Sequence, residues 1–216
     1  MNVAIFDLDK TLTKRDTFVP FLLGLMLRNP QSFFSTPKLL WNVLLYFTGV
    51  QSNSALKEAF LVTILKNCTR TTVQVWVDKF VDQTIERNLS SDALKRLSHE
   101  KRKGRVVLAS ASIDLYVEPL ARRLKVEHVV CSKLKHAKGE YLIGSLDGKN
   151  CYGEEKLSRV IAYLTSFKHD LFITAYSDHD SDLPLLKYAN KGVAVNPNTA
   201  LKNYCTEQKI RVEHWS

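Results

Sequence analysis

The sequence predicts an α/β protein: a doubly wound parallel sheet with helices on both faces and an all-helical segment inserted after the first strand. Three observations carry that prediction. Five short apolar runs each stop at polar or acidic residues, as strands buried on both faces do. Helix-like stretches separate the later runs, which is the alternation a parallel sheet requires. Between the first and second runs, residues 17–92 carry no strand pattern.

The first strand is VAIF at 3–6, ending at Asp7. Four apolar or amphipathic helical segments follow at 17–30, 37–50, 55–67 and 72–89, with apolar residues recurring every three to four positions in the last two. RVVLAS at 105–110 is the second strand and EHVVCS at 127–132 the third, joined by a helix over 115–125. GEYLIGSLDGK at 139–149 alternates apolar positions between glycines and predicts a small antiparallel hairpin. A helix over 153–167, a fourth strand at 171–178, a helix over 181–189, a fifth strand at 192–197 and a helix over 199–207 complete the chain. The predicted division is a sheet-bearing core of residues 1–15 and 93–216, with an inserted helical domain of 16–92.

The chain has 216 residues, enough for one substantial core plus a smaller inserted domain. Its Lys and Arg outnumber Asp and Glu by 31 to 22, and the resulting +9 favours anionic partners: phosphorylated metabolites, acidic lipid surfaces or nucleic acid. KRLSHEKRKGR at 95–105 holds many of these cations and reads as a solvated helix end and loop. The positive charge is not interleaved with aromatics in a groove-binding pattern, so no nucleic-acid partner is expected. Cys68, Cys131, Cys151 and Cys205 include no C-x-x-C pair, which predicts free thiols rather than a zinc or redox site. Without a basic, cleavable apolar leader at its start, the chain is expected to be cytoplasmic.

Polar residues at the carboxyl ends of the predicted strands gather where ligands bind in doubly wound sheets. They are Asp7 and Asp9 after the first strand, Ser110 after the second, and Asp178 and Asp182 after the fourth, with Lys156 opening a helix between them. Four converging carboxylates repel unless a cation joins them, and a hard divalent ion such as Mg²⁺, keeping waters and a substrate phosphate, suits that donor count. Ser110 and Lys156 are then the groups to hold phosphoryl oxygens. Two frames compete for the nucleophile. Asp7-Leu8-Asp9 pairs an attacking carboxylate with a second for proton transfer, whereas Asp9-Lys10-Thr11 reads as the D-K-T of ion-pumping ATPases. The second frame also calls for membrane spans, and each apolar segment runs only about a dozen residues against the ~20 a span needs.

DLDKT (7–11), VVLAS (106–110), GEEK (153–156) and SDHDSD (177–182) resemble, in order and spacing, the four motifs of the haloacid dehalogenase superfamily. The chain is similar to subfamily IB, the phosphoserine phosphatase-like branch, and SASIDLYVEPLA and AYSDHDSDLPLL are similar to its phosphatidylglycerophosphatase C-like members. The resemblance implies a Rossmann-like core with a C1-type helical cap, and a Mg²⁺-dependent phosphomonoester phosphatase. It implies Asp7 as nucleophile, Asp9 as acid–base, and Ser110 and Lys156 as phosphate binders. Asp7, the Asp9 carbonyl and Asp178 would hold the metal, Asp182 would ligate or orient, and Thr11 would fix the loop. Asp180 competes with Asp182 for that last position, and Ser177 stands where many relatives have Gly.

Substrate is a separate question. Asp16 lies nine positions after Asp7, where phosphoserine-specific relatives carry a Glu that meets the substrate's amine. The inserted segment is heavily apolar, so it either fills a core against the sheet domain or presents a surface to lipid or a greasy substrate. A lipid-linked phosphate such as phosphatidylglycerophosphate, with peripheral contact to an anionic membrane, is therefore expected. The alternatives are a small-metabolite phosphatase such as phosphoserine phosphatase and a phosphoacceptor signalling domain.

Overall fold

A computed structural model of the chain describes residues 1–29, 36–65, 68–135, 142–168 and 170–216. Its centre is one parallel sheet of six strands in the order β3-β2-β1-β4-β5-β6. The strands are β1 (Asn2–Phe6), β2 (Gly104–Ile113), β3 (His128–Ser132), β4 (Phe172–Ser177), β5 (Lys191–Val195) and β6 (Arg211–Glu213). Five are the predicted ones. The sixth, only three residues long and largely exposed, pairs with β5 at the sheet edge and has no apolar run to announce it.

Side chains alternate across the sheet and so divide the core in two. Ala4, Phe6, Val106 and Leu108 point to one face, against α5 (Ser91–Lys103) and α6 (Asp114–Arg123). Val3, Ile5, Val107 and Ala109 point to the other, against α7 (Glu154–Leu164), α8 (Leu183–Tyr188) and α9 (Thr199–Gln208). The chain crosses to one side through β2 and β3 and to the other through β4, β5 and β6. The order therefore reverses between β1 and β4, where a crevice opens beyond the strand ends.

Between β1 and β2 lie α1 (Phe18–Arg28), α2 (Thr36–Phe47), α3 (Asn53–Leu65), α4 (Arg70–Gln83) and then α5. Phe21, Leu22 and Leu25 of α1, Leu61 and Ile64 of α3 and Trp76, Val77 and Phe80 of α4 join the same apolar cluster as Phe6 and Tyr116. Gly24 lets α1 approach α4 closely, since a Cβ there would lie 2.1 Å from the Trp76 ring. The chain leaves and re-enters the sheet layer side by side: Thr13 bridges Leu89, and Ser90 N donates to Leu12 O at 3.0 Å.

Three local expectations are corrected. The basic stretch at 95–105, read as a helix end and loop, holds the helix end but no loop: residues 95–103 belong to α5, capped by the Ser90 hydroxyl, with Lys101, Arg102 and Lys103 complementing the helix dipole at its end, and β2 begins directly at Gly104. β2 runs past Ser110 to Ile113, so Ser110 lies inside the strand. The apolar insertion is only partly core. α1 buries one stripe, whereas α2 buries Leu39 and leaves Leu40, Trp41, Leu44 and Phe47 exposed. Part of the hairpin expected at 139–149 lies outside the described residues. Within them, Lys135 N donates to Ser145 O and Asp147 N to Lys133 O, which makes a short antiparallel pair of 133–135 with 145–147.

Candidate active site

Asp7 follows the last residue of β1, and its backbone N–H still donates to Tyr176 O of β4 at 3.0 Å. That bond fixes Asp7 at the switch point. The chain then turns sharply over 8–12, with Lys10 in the left-handed region at φ 56°. The turn is held by Thr13, whose hydroxyl shares its one proton between Leu8 O at 3.0 Å and Arg15 O at 2.8 Å and accepts from Lys10 N at 3.2 Å. Thr11 was expected to do this. Instead its hydroxyl is buried without a partner among the described residues.

Lys156, in the first turn of α7, reaches into the crevice and is 3% exposed. Its ammonium donates to Asp7 Oδ1 at 2.8 Å and to Asp182 Oδ2 at 2.7 Å. Asp182 comes from a short 3-10 turn after β4 (Asp180–Asp182) and also accepts from the Ser177 hydroxyl at 2.7 Å. Its other oxygen, Oδ1, is buried with no partner among the described residues. Asp180 is turned away: it is only half-buried and binds Asn198 Nδ2 at 2.6 Å, so Asp182 rather than Asp180 faces the cluster. Asp178 is buried beside them, and its carbonyl accepts from Asn198 N at 2.8 Å.

The electrostatics of this cluster are unbalanced. Burial raises the Asp7 carboxyl well above the usual range; Lys156 opposes the shift, while Asp182, Asp178 and Asp9 add to it. Burial likewise pushes Asp178 up to about 7, with Lys10 opposing and Asp182 adding. For Lys156, burial would lower the pKa, but the Asp182 and Asp7 carboxylates override it and keep the ammonium charged. One lysine cannot neutralise this many carboxylates, so the site has room for a further positive charge. Among the described residues no three acidic, His or Cys side chains are gathered to hold an ion unaided. The donors present, two or three carboxylates with an unsatisfied oxygen, fit Mg²⁺ that keeps waters and takes substrate oxygens as ligands.

Asp9 stands in a separate clamp. Its Oδ1 accepts from Thr17 N and from the Thr17 hydroxyl, both at 2.6 Å, and its Oδ2 accepts from the Ser112 hydroxyl at 2.9 Å. Tyr116 shares a hydrogen bond with Thr17 at 3.0 Å behind them. Burial raises the Asp9 carboxyl, and the bonds from Thr17 and Ser112 pull against that rise. Ser110 is fully buried. Its Oγ accepts from Ser112 N at 3.0 Å, leaving its own proton without an acceptor among the described residues. The register pairing Phe6 with Leu108 sets Ser110 two residues further on, beside the β1 loop.

Asp9 and Ser112 also line a cavity of about 390 Å³ whose other walls are mainly Phe18, Val19, Leu22, Leu23, Met26 and Phe60. Asp16 lies on its rim and is paired with Lys10 at 3.0 Å, both half-exposed. Lys57 of α3 enters the same wall, 8% exposed, and binds Ala111 O, Asn150 Oδ1 at 2.8 Å and Ser132 Oγ at 3.4 Å. Burial lowers its pKa to about 8.

The structure thus brings Asp7, Lys156 and Asp182 into direct contact, with Asp178 adjoining. Asp9 and Ser110 meet through Ser112, and Asp16 stands apart. Sequence reasoning missed Thr17, Ser112, Tyr116 and Lys57. Ser112 had a visible signal, because SAS at 110–112 places a second hydroxyl two residues after Ser110.

Residues 4–187 match the family model described as haloacid dehalogenase-like hydrolase. Protein CicA of Caulobacter vibrioides is 30% identical over 191 residues, covering 88% of this chain and 83% of its own. A probable phosphatase of Mycobacterium tuberculosis is 34% identical over 98 residues, 45% of this chain and 33% of its own. The crystal structure of a protein of unknown function from Bordetella pertussis superposes with a TM-score of 0.85 at 22% identity, covering 98% and 97% of the two chains, which shows the shared fold. On the extent of these matches the chain belongs to the haloacid dehalogenase-like hydrolase family.

Proposed function

We propose that this hydrolase is a Mg²⁺-dependent phosphomonoesterase that works through an aspartyl-phosphate on Asp7 and accepts an apolar, lipid-linked substrate, with phosphatidylglycerophosphate the named candidate. The observation that carries the reading is Lys156 bridging Asp7 and Asp182 inside a carboxylate cluster that one cation cannot neutralise. The name of the mycobacterial relative, a probable phosphatase, supports the same reaction class.

In this reading Asp7 attacks phosphorus while the bond to the leaving alkoxide breaks, and the Asp9 carboxyl gives that alkoxide its proton. Asp9, now a carboxylate, takes a proton from water. The water attacks the aspartyl-phosphate, releasing phosphate and restoring Asp7. Burial suits Asp9 to carrying the proton, and Thr17 and Ser112 hold it in one orientation. Lys156 orients Asp7 and, with the Ser110 hydroxyl, binds phosphoryl oxygens. Asp7, Asp178 and the Asp9 carbonyl would hold Mg²⁺, with Asp182 ligating or orienting; the ion supplies positive charge against the phosphoryl group.

The apolar cavity beside Asp9 supports the lipid-linked substrate. Asp16 at the cavity rim is paired with Lys10, so a phosphoserine amine would compete with that lysine for it. Residues 16–92 serve in this reading as a cap on a core of 1–15 and 93–216. A panel of phosphoserine, sugar phosphates, nucleotides and phosphatidylglycerophosphate, run with Mg²⁺ and with chelator, tests it. Chelator-sensitive phosphate release, fastest on the lipid and abolished by Asp7→Asn, is expected. Equal turnover with chelator present, or preference for phosphoserine, would refute the corresponding part.

A further inference from the structure

We infer that the exposed faces of α1 and α2 dock onto the interfacial zone of an anionic lipid bilayer, so that substrate enters the adjoining cavity from the membrane side. The fold leaves this apolar surface in solvent. On α2, Leu40, Trp41, Leu44 and Phe47 are 64%, 60%, 52% and 79% exposed, at positions that share one helical face. On α1, Val19, Leu23 and Leu27 repeat every fourth residue and are likewise exposed.

Charge identifies the occupant. From Thr17 to Leu56 the sequence contains no Asp or Glu, although Arg28 and Lys38 are present, and the whole chain carries +9. An anionic bilayer offers apolar depth and negative potential at once, which is what an apolar face without acidic residues accepts. Trp41, on the exposed stripe, is a side chain that settles at the membrane–water boundary. No described helix is long and apolar enough to cross a bilayer, so the contact runs along the surface.

The face is also continuous with the cavity. Val19 and Leu23 belong both to the exposed stripe of α1 and to the cavity wall. An acyl chain sliding along that stripe stays in apolar surroundings until its head reaches Asp9 and Ser112 on the same wall. Only this entry route rests on the phosphatase reading. Docking itself is measured without turnover.

The test is cosedimentation with vesicles of phosphatidylcholine alone and of phosphatidylcholine containing phosphatidylglycerol. It compares the wild type, the double variant Leu44→Glu/Phe47→Glu and the control Val75→Glu, whose site on α4 is also exposed. Melting by circular dichroism checks that each variant is folded. The wild type and the control are expected to bind the anionic vesicles about 10-fold or more tightly than the neutral ones, less so in high salt, and the double variant to lose that binding. Absence of wild-type binding, or a double variant that binds as well as the wild type, would overturn the inference. So would a dimer in sedimentation velocity that the double variant dissociates, because a second copy would then cover the face. A protein that binds these vesicles but hydrolyses no phosphomonoester refutes the proposed function and leaves the docking intact.

Discussion

Lys156→Met isolates the ion cluster at the centre of the site. Methionine keeps most of the side chain's volume, so the lost quantity is the cation between Asp7 Oδ1 at 2.8 Å and Asp182 Oδ2 at 2.7 Å. All three side chains are at least nine-tenths buried, and breaking a buried pair from one side costs about 3–5 kcal/mol. For a chain of this length that is roughly 6–20 °C of melting temperature. The loss depends on pH. Lys156 is the foremost influence that lowers the Asp7 pKa, so without it the already raised carboxyl rises further. A group raised in the folded state binds its proton more tightly there than in the unfolded chain, so stability is retained at low pH and lost as pH climbs above the ordinary carboxyl range near ~4. Thermal melts in chelator should therefore show a deficit that is largest at pH 8 and shrinks toward pH 5. Turnover at pH 7 should fall by about 10²-fold or more, because Asp7 is no longer oriented. A melting temperature within about 2 °C of the wild type at pH 8 would refute the reasoning, as would a pH-independent deficit.

Thr17→Val and Ser112→Ala each remove a side-chain hydrogen bond that holds the Asp9 pKa down, so the alkaline limb of the kcat/KM profile should move to higher pH. An unmoved limb would separate Asp9 from proton transfer. Asp178→Asn should stabilise the metal-free protein at pH 8 by on the order of 1–4 kcal/mol and by less at pH 5, because the folded-state pKa near 7 makes the carboxylate costly above that pH and harmless near ~4; equal stabilisation at both pH values contradicts this. Lys57→Met leaves the single Ser132 hydroxyl proton to serve both Ala111 O and Asn150 Oδ1, so one buried acceptor is orphaned at a cost of about 1–3 kcal/mol in urea unfolding. A neutral outcome would show that water replaces the ammonium.

Sheet and site skeleton were legible because buried strands are short apolar runs that end where the chain needs polar groups. Asp7, Asp178 and Asp182 could be placed at strand ends with no knowledge of packing. β6 escaped notice because Arg211–Glu213 is a short exposed edge strand whose pairing comes from β5 and not from its own hydrophobicity. The extent of α5 was obscured by its cations: Ala93, Leu94 and Leu97 mark its apolar side, and the last turn is basic for reasons of dipole and cap. The exchange of Thr11 for Thr13 shows a different limit. Two threonines two residues apart look alike until the left-handed turn at Lys10 decides which hydroxyl reaches Leu8 O. The clamp on Asp9 joins residues 9, 17 and 112 through tertiary contact, and Lys57 looks like a surface charge until α3 is laid across the ends of β2 and β3.

The central claim is that Asp7 is the group phosphorylated during turnover. Acid quenching of the Asp9→Asn variant with a phosphomonoester and Mg²⁺, followed by peptide mapping by mass spectrometry, measures it directly. With an aryl phosphate such as p-nitrophenyl phosphate, whose leaving group departs without a proton, Asp9→Asn slows hydrolysis of the intermediate more than its formation, so one phosphoryl group per chain should accumulate on the peptide containing Asp7, and the Asp7→Asn/Asp9→Asn double variant should carry none. Phosphoryl label on any other residue, or phosphate release with no labelled peptide at any quench time, would contradict the account.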